Sequence, residues 1–256
     1  MAGKKESQKA AADLVNSLRY VAPPEPRRKR SILINFVLDK SGSMDAIRTA
    51  TIAGFNEFKN DQAREAGLAL MTLTLFDTSF ATVATAAPVA DVLDLNPGTY
   101  APGGMTALYD AVGHTLKLTD DYVAANHPDQ VLFVIMTDGE ENSSREFSRE
   151  RIFALIEERQ RDAGYEFIYL GANQDSYLAG RAMGIAAGRM LDYDATPDAA
   201  MSTMARASMN VRAHRRHGVA REAEWFTPDF EAMADLEGDA LEAQKAKYVS
   251  GAAKKN

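Results

Sequence analysis

The sequence predicts an α/β fold in which helices cover both faces of a mostly parallel, doubly wound sheet. Segments with strand character alternate with segments of helical periodicity from residue 31 to residue 217. Two strands, 31–38 and 131–136, are apolar nearly throughout, as is typical of parallel strands that are buried on both faces. Polar residues follow directly after both strands, at the sheet edge where open α/β folds bind their ligands.

The first half of the chain contributes three strands and two helices to this prediction. A helix over 45–64 has apolar residues on one face, and we expect Gly67 to end it. A segment over 80–89 has small residues and a proline, which an edge strand tolerates. A turn-rich loop over 96–104 then leads to a helix over 107–126. The strands predicted for this half are 31–38, 68–76 and 80–89.

The second half continues the alternation with three more strands and three helices. Ser148 is placed to cap a helix that Gly164 ends. Thr196, Pro197 and Asp198 form a strong helix start, because a capping residue precedes a proline and an acidic residue. The predicted strands are 131–136, 167–170 and 189–193, and the other predicted helices are 174–183 and 197–217.

The composition suggests one large domain with an extension at each end. We expect an N-terminal arm over 1–30, a domain over 31–217 and a C-terminal helical appendage over 218–256. The chain has 256 residues and a formal net charge of −7, which argues against nucleic acid as a partner. The absence of cysteine excludes disulfides, thiolate metal sites and cysteine catalysis. No signal peptide or membrane-length apolar run is evident, so we expect a cytoplasmic protein that does not bind membranes, or a virion protein if a phage encodes it.

Three separated segments carry the chemistry of the predicted site. Asp39, Ser41 and Ser43 lie at alternate positions just after the first strand. Thr106 follows a pair of glycines at the start of a helix, and Asp138 follows the second apolar strand. All three segments are expected at the same sheet edge. Carboxylate and hydroxyl oxygens suit a hard cation, Mg²⁺ in particular, with Mn²⁺ or Ca²⁺ as alternatives.

Together these residues resemble the von Willebrand factor A (vWA) domain, whose metal-ion-dependent adhesion site (MIDAS) has the pattern Asp-x-Ser-x-Ser, then Thr, then Asp. The resemblance covers about 31–217 and implies a six-stranded, Rossmann-like sheet in the order 3-2-1-4-5-6 with strand three antiparallel. It also implies that Ser41 and Ser43 bind the cation directly, and that Asp39 and Asp138 act directly or through water. Thr106 is implied to coordinate directly in some states and through water in others.

The resemblance implies a non-enzymatic module that captures an Asp or Glu of a protein partner through the bound metal. Compact relatives occur in bacteria and phages, and some work beside AAA-type ATPases. A second hypothesis is a structural subunit of a larger assembly, such as a phage particle, that is held through its terminal arms. A metal-dependent hydrolase is the least favoured, because an aspartyl-phosphate mechanism needs a second aspartate where this chain has Ser41.

Other polar residues have a structural and a functional interpretation. Asp77 follows the second strand, where it either supports the metal site or is an ordinary loop residue. Glu140 and Glu141 are expected to be solvated loop charges beside the site. His214 is expected to be a charged residue near a helix C-terminus. The basic cluster 212–216 is a weaker candidate for binding phosphate or an acidic partner.

Overall fold

The computed structural model describes residues 30–172 and 174–217, together with residues 225, 226, 236 and 240. The strands are Ser31–Asp39 (β1), Leu68–Phe76 (β2), Phe80–Pro88 (β3), Gln130–Thr137 (β4), Glu166–Ala172 (β5) and Met190–Tyr193 (β6). The α-helices are Arg48–Arg64 (α1), Leu108–Asn126 (α2), Arg149–Glu158 (α3), Gln174–Ala182 (α4) and Pro197–His217 (α5).

The six strands form one sheet in the order β3-β2-β1-β4-β5-β6, which confirms the predicted order. Only β3 runs antiparallel to its neighbour. In the register of the sheet, Asp39 pairs with Phe76 of β2, and Leu38 pairs with Met136 of β4. The connections reverse direction between β1 and β4, and open α/β sheets bind their ligands outside the carboxyl ends of the strands at such a point.

Two hydrophobic layers hold the sheet between the helices. On one face, α1 and α5 pack against the sheet through residues such as Phe55 and Met204. On the other face, α2 and α3 contribute Leu116 and Ile152. Residues 32–39 of β1 are all buried, as expected for a central parallel strand. Asn35 interrupts this apolar run, and its side chain accepts a hydrogen bond from Thr119 of α2.

Helix boundaries are where the structure departs from the sequence prediction. The chain after β1 first forms a 3₁₀ turn over Gly42–Ile47, so α1 begins later than predicted. Helix α1 ends at Arg64, before Gly67. Gly67 has a φ of +100°, and a Cβ there would lie 2.8 Å from the carbonyl oxygen of Arg30. This glycine therefore permits a close backbone approach at the start of β2 rather than ending the helix. Ser148 caps α3 as predicted, by accepting a hydrogen bond from the Arg151 amide.

One residue of the predicted C-terminal appendage lies in the core. Trp225 is fully buried, and its ring centroid is 4.8 Å from that of His214. Its backbone is held by Gly188, which accepts from the Trp225 amide, and by Asn210, which donates to the Trp225 carbonyl. All but the last residue of the predicted arm over 1–30 and nearly all of 218–256 lie outside the described residues, and the proposed division into three parts stays a prediction.

His214 corrects another expectation, because it is buried and neutral rather than a charged residue near the end of α5. It lies against Trp225 and within 3.0 Å of the Gln130 side chain. Burial, with nearby Arg189 and Arg30, lowers the pKa of His214 to about 3. The imidazole is therefore neutral and takes part in core packing. In the described part of the chain, no helix has the length and apolar character needed to cross a membrane.

Candidate metal centre

The Asp-x-Ser-x-Ser segment turns sharply away from the end of β1. Asp39 is fully buried, and its carboxylate accepts hydrogen bonds from the Ser41 amide and from the Thr137 hydroxyl, both at 2.6 Å. Tyr100 is also fully buried, and its hydroxyl donates to the Asp39 carbonyl at 2.5 Å. Hydrogen bonds from two neighbouring segments thus fix both the carboxylate and the backbone of the first aspartate.

The glycine-rich loop lies directly against this segment. Gly103 donates its amide to the Lys40 carbonyl at 2.8 Å, and Gly42 donates to the Gly104 carbonyl at 3.2 Å. A Cβ on Gly42 would lie 3.4 Å from that same carbonyl oxygen. These two backbone hydrogen bonds hold the loops side by side, and Thr106 follows in the same loop as the glycines.

Three hydroxyl oxygens converge beside Gly139. A Cβ placed on Gly139 would lie 3.1 Å from the Thr106 Oγ1, 3.4 Å from the Ser43 Oγ and 3.8 Å from the Ser41 Oγ. The two serine oxygens are 3.2 Å apart, and the Ser43 hydroxyl donates to Asp138 at 2.5 Å. We call this space between the hydroxyls the Gly139 cradle. The structure thus brings together all five predicted site residues at the predicted sheet edge.

The two carboxyl groups of the site have no cationic partner within the described residues. No Lys, Arg or His there forms an ion pair with Asp39 or Asp138. Burial raises the pKa of Asp39 to about 6, against the effect of its hydrogen bonds from Thr137 and Ser41. Burial also raises the pKa of Asp138, against the effect of the Ser43 hydroxyl. Both groups are therefore destabilised as anions by the protein alone.

Solved structures match this fold, although no protein-family model and no curated protein matches the chain. The vWF domain of the type V pilus tip protein Mfa5 from Porphyromonas gingivalis has a TM-score of 0.55 at 12% identity, over 75% of this chain and 98% of that one. The pilus adhesin SpaC from Lactobacillus rhamnosus GG has a TM-score of 0.55 at 13% identity, over 73% and 31%. Proximal thread matrix protein 1 from the mussel byssus, with a zinc-occupied MIDAS motif, has a TM-score of 0.51 at 17% identity, over 70% and 45%.

The chain has the vWA fold. It corresponds to nearly the whole of the Mfa5 domain, but to less than half of the mussel protein and about a third of SpaC. These identities are low, so the likeness concerns the fold, and the chemistry of the site has to be argued from its own residues.

The donor set fits a hard divalent cation. The site offers two carboxylates, which balance the charge of a divalent ion, and three hydroxyls, which add donors without adding charge. It has neither the thiolate nor the imidazole ligands that soft or borderline metals prefer. Among the described residues, no group of three or more His, Cys, Asp or Glu is placed to hold a metal. The hydroxyls are therefore needed to complete any cation site here.

The loop after β4 is tied to the start of α2 by two carboxylates. Glu141 accepts hydrogen bonds from the amides of Tyr109, Ser143 and Ser144, and from the Ser144 hydroxyl, at 2.7–3.0 Å. Asp110 accepts from three successive amides of the loop, those of Arg145, Glu146 and Phe147, at 2.8–2.9 Å. We call these contacts the Glu141–Asp110 latch. The interpretation of Glu141 as a solvated charge was wrong, because its carboxylate forms hydrogen bonds that join the loop after β4 to the start of α2.

The backbone of Thr106 is fastened by the same loop. Its amide donates to the Asn142 side chain at 2.9 Å, and its carbonyl accepts from the amides of Asn142 and Ser143. Hydrogen bonds from the Thr106 backbone to Asn142 and Ser143 therefore hold Thr106 in position relative to Asp138, and the side chains of Thr106 and Asp138 are not involved.

Asp77 supports the opposite side of the site. It forms an ion pair with Lys40, the residue between Asp39 and Ser41. Burial opposes its ionisation, but hydrogen bonds from Lys40 and Ser79 outweigh burial and lower the pKa of Asp77. Its carbonyl accepts from the Ala107 amide at 2.7 Å. Of the two interpretations of Asp77, these contacts favour the supporting one.

Several supporting residues were not identified from the sequence. Thr137 and Gly139 flank the predicted Asp138, so their proximity to the site could have been inferred from the motif. Tyr100 and Asn142 lie in loops without a recognisable pattern, and only the folded structure shows that they contact Asp39 and Thr106.

Proposed function

We propose that this protein is a non-enzymatic, metal-dependent protein-binding module that takes a carboxylate of a partner at the Gly139 cradle. The observation that carries the proposal is the convergence of three hydroxyls beside two carboxyl groups that have no described cationic partner. A protein of similar fold, the mussel thread protein, has a zinc-occupied MIDAS motif, which supports a divalent cation here. We propose Mg²⁺ as the ion, with Mn²⁺ or Ca²⁺ as substitutes in vitro.

Each site residue has a defined role in this proposal. Ser41, Ser43 and Thr106 would hold the cation through their hydroxyl oxygens, while Asp39 and Asp138 would neutralise its charge. When bound, the ion supplies an electrophilic position for a carboxylate oxygen from outside. The protein's own part is to keep the donors together, which the Glu141–Asp110 latch and the Lys40–Asp77 ion pair accomplish. No catalytic residue is assigned.

The direct test combines metal binding with partner capture. Calorimetric titration of the full chain with Mg²⁺ and Mn²⁺ should show one site, which the double variant Ser41→Ala with Ser43→Ala lacks. Ser202→Ala, on an exposed position of α5, is the matched control. Circular dichroism should show that all variants are folded.

The partner is then sought with the full chain as bait, in Mg²⁺ and in EDTA. Proteins retained in Mg²⁺, but lost both in EDTA and with the double variant, are the expected result. Partner binding that survives EDTA and the double variant would refute the proposal. Hydrolysis of phosphate esters in Mg²⁺ that the double variant abolishes would favour the hydrolase hypothesis instead.

A further inference from the structure

Tyr193 of β6 has a buried hydroxyl that forms no hydrogen bond within the described part of the chain. Its side chain lies in the hydrophobic layer between the sheet and helices α1 and α5, and only 6% of the residue is exposed. A buried polar group without a partner destabilises the folded state, and most such groups in native proteins are therefore paired. The position of this hydroxyl relative to the metal centre provides a reason for keeping it.

The register of the sheet places Tyr193 level with the metal centre. Thr137, the last residue of β4, pairs with Gly171 of β5. The residues that follow these two, Asp138 and Ala172, are therefore level with each other. Ala172 in turn pairs with Tyr193 of β6. Because neighbouring strands are about 4.8 Å apart, a single strand separates Tyr193 from Asp138 at the same height of the sheet.

The residue between Tyr193 and Asp138 is small. Ala172 and Tyr193 belong to the same hydrophobic layer, so their side chains lie on the same face of the sheet. The methyl group of Ala172 leaves room for the tyrosine ring that a larger side chain on β5 would occupy. Besides burial, the nearby negative charges of Asp138 and Asp39 raise the pKa of Tyr193. The hydroxyl therefore keeps its proton close to the two carboxyl groups, where it can serve as a hydrogen-bond donor.

We propose that Tyr193 is a positioning residue of the metal centre, whose hydroxyl donates a hydrogen bond to the Asp138 carboxylate when a divalent cation is bound. This inference rests on the proposed metal-dependent function. The Ser43 hydroxyl donates to Oδ1 of Asp138, and no other described residue donates to Oδ2. A second donor would hold this carboxylate in place as an anion. The protein without metal then keeps one buried donor unused, and such a local cost is typical of functional sites.

A conservative substitution in the full chain separates a positioning role from a structural one. Tyr193→Phe keeps the ring and removes the unpaired hydroxyl, so the midpoint of thermal unfolding of the metal-free protein should rise by about 3 °C. The affinity for Mn²⁺, measured by calorimetric titration, should fall on the order of 10-fold. A hydroxyl with only a structural role would change the stability and leave the affinity as it is.

Tyr169→Phe is the matched control. Tyr169 is also buried and its hydroxyl forms no hydrogen bond among the described residues, but it lies on the other face of the sheet, in the layer beneath α2 and α3. The carboxyl group whose charge acts on it is that of Asp39, which already accepts hydrogen bonds from Ser41 and Thr137. Tyr169→Phe should therefore stabilise the metal-free protein to a similar extent and leave the Mn²⁺ affinity unchanged.

A second measurement uses the native chain. In protein labelled with ¹³C at the tyrosine Cζ, the chemical shift of each label reports the hydrogen bonding of its hydroxyl. Saturation with Mg²⁺ should shift the Tyr193 signal and leave the Tyr169 signal in place.

The outcomes separate this inference from the proposed function. Equal Mn²⁺ affinities of the native chain and Tyr193→Phe, or a Tyr193 signal that Mg²⁺ does not move, would overturn the inference and leave the metal site intact. A less stable metal-free Tyr193→Phe would show that the hydroxyl is already paired without metal, which would overturn it too. An equal loss of affinity in Tyr169→Phe would show an effect that is not specific to Asp138, with the same consequence. A native chain that binds neither ion would refute the metal site, and the inference with it.

Discussion

Two regions of this molecule hold carboxylates in opposite ways. Glu65, after α1, lies between Arg212 and Arg216 of α5, at 3.3 Å and 2.8 Å from their Nε atoms. Arg215 is buried beside it and donates to the Glu65 and Gln62 carbonyls. Burial acts against ionisation, but the hydrogen bonds from Arg216 and Arg212 outweigh it and lower the pKa of Glu65. At the metal centre, burial prevails and raises the pKa of Asp39.

The difference shows where the fold provides its own counter-charge. The basic cluster 212–216, considered from the sequence as a site for phosphate or an acidic partner, uses its arginines to join α5 to the end of α1. Asp39 and Asp138 are offered only hydroxyl and amide donors by the described residues. The proposed cation would therefore supply at the second region the positive charge that the arginines already provide at the first.

The largest effect should come from filling the Gly139 cradle. In Gly139→Ala, the new methyl group would lie among the three hydroxyls and occupy the space proposed for the ion. We expect metal affinity to fall by on the order of 100-fold, measured by calorimetry with Mn²⁺. Gly103→Ala is the matched control, because a Cβ there meets no atom within 4 Å. Unchanged affinity in Gly139→Ala would show that the hydroxyls do not define the site.

Removing the charge of Glu65 should affect stability and leave metal binding alone. Glu65→Gln leaves Arg212 and Arg216 without their shared anion, so we expect a loss of about 2 kcal/mol in the free energy of unfolding. The folded-state pKa of Glu65 is below its usual 4.5, so its contribution is present at neutral pH and is lost as the pH falls below about 4.5. Urea unfolding should therefore show a difference in the free energy of unfolding between the two proteins at neutral pH, and this difference should disappear in acid. If Mg²⁺ restored the stability of Glu65→Gln, the Glu65 region would also respond to a cation, which would contradict the contrast with the metal centre.

A smaller effect on metal affinity is expected at the Glu141–Asp110 latch, where the carboxylates are bound by backbone amides rather than by arginines as at Glu65. Glu141→Gln weakens the hydrogen bonds to the amides of Tyr109, Ser143 and Ser144, so Thr106 is held less firmly relative to Asp138. We expect metal affinity to fall on the order of 10-fold. Glu140→Gln, at the exposed neighbouring position, should change affinity less, and equal losses in both variants would indicate a general charge effect.

The sequence by itself determined the layered fold and the chemistry of the predicted site. Buried strands such as β1 and β4 can be recognised in the sequence by their apolar runs. The polar residues that follow these strands have to lie at the same edge of a parallel sheet. The donor types in Asp39, Ser41, Ser43, Thr106 and Asp138 follow from the motif. Their part in binding a metal stays a prediction.

Only the tertiary structure decided how these residues are supported. Periodicity reports which face of an element is buried, but it does not say which distant residue will contact it. Arg216 is 151 positions from Glu65, and Tyr100 is 61 positions from Asp39. The roles of Glu141, His214 and Trp225 also depend on such distant contacts. A charged or aromatic side chain acquires its role from the partner that folding places beside it, and local sequence carries no record of that partner.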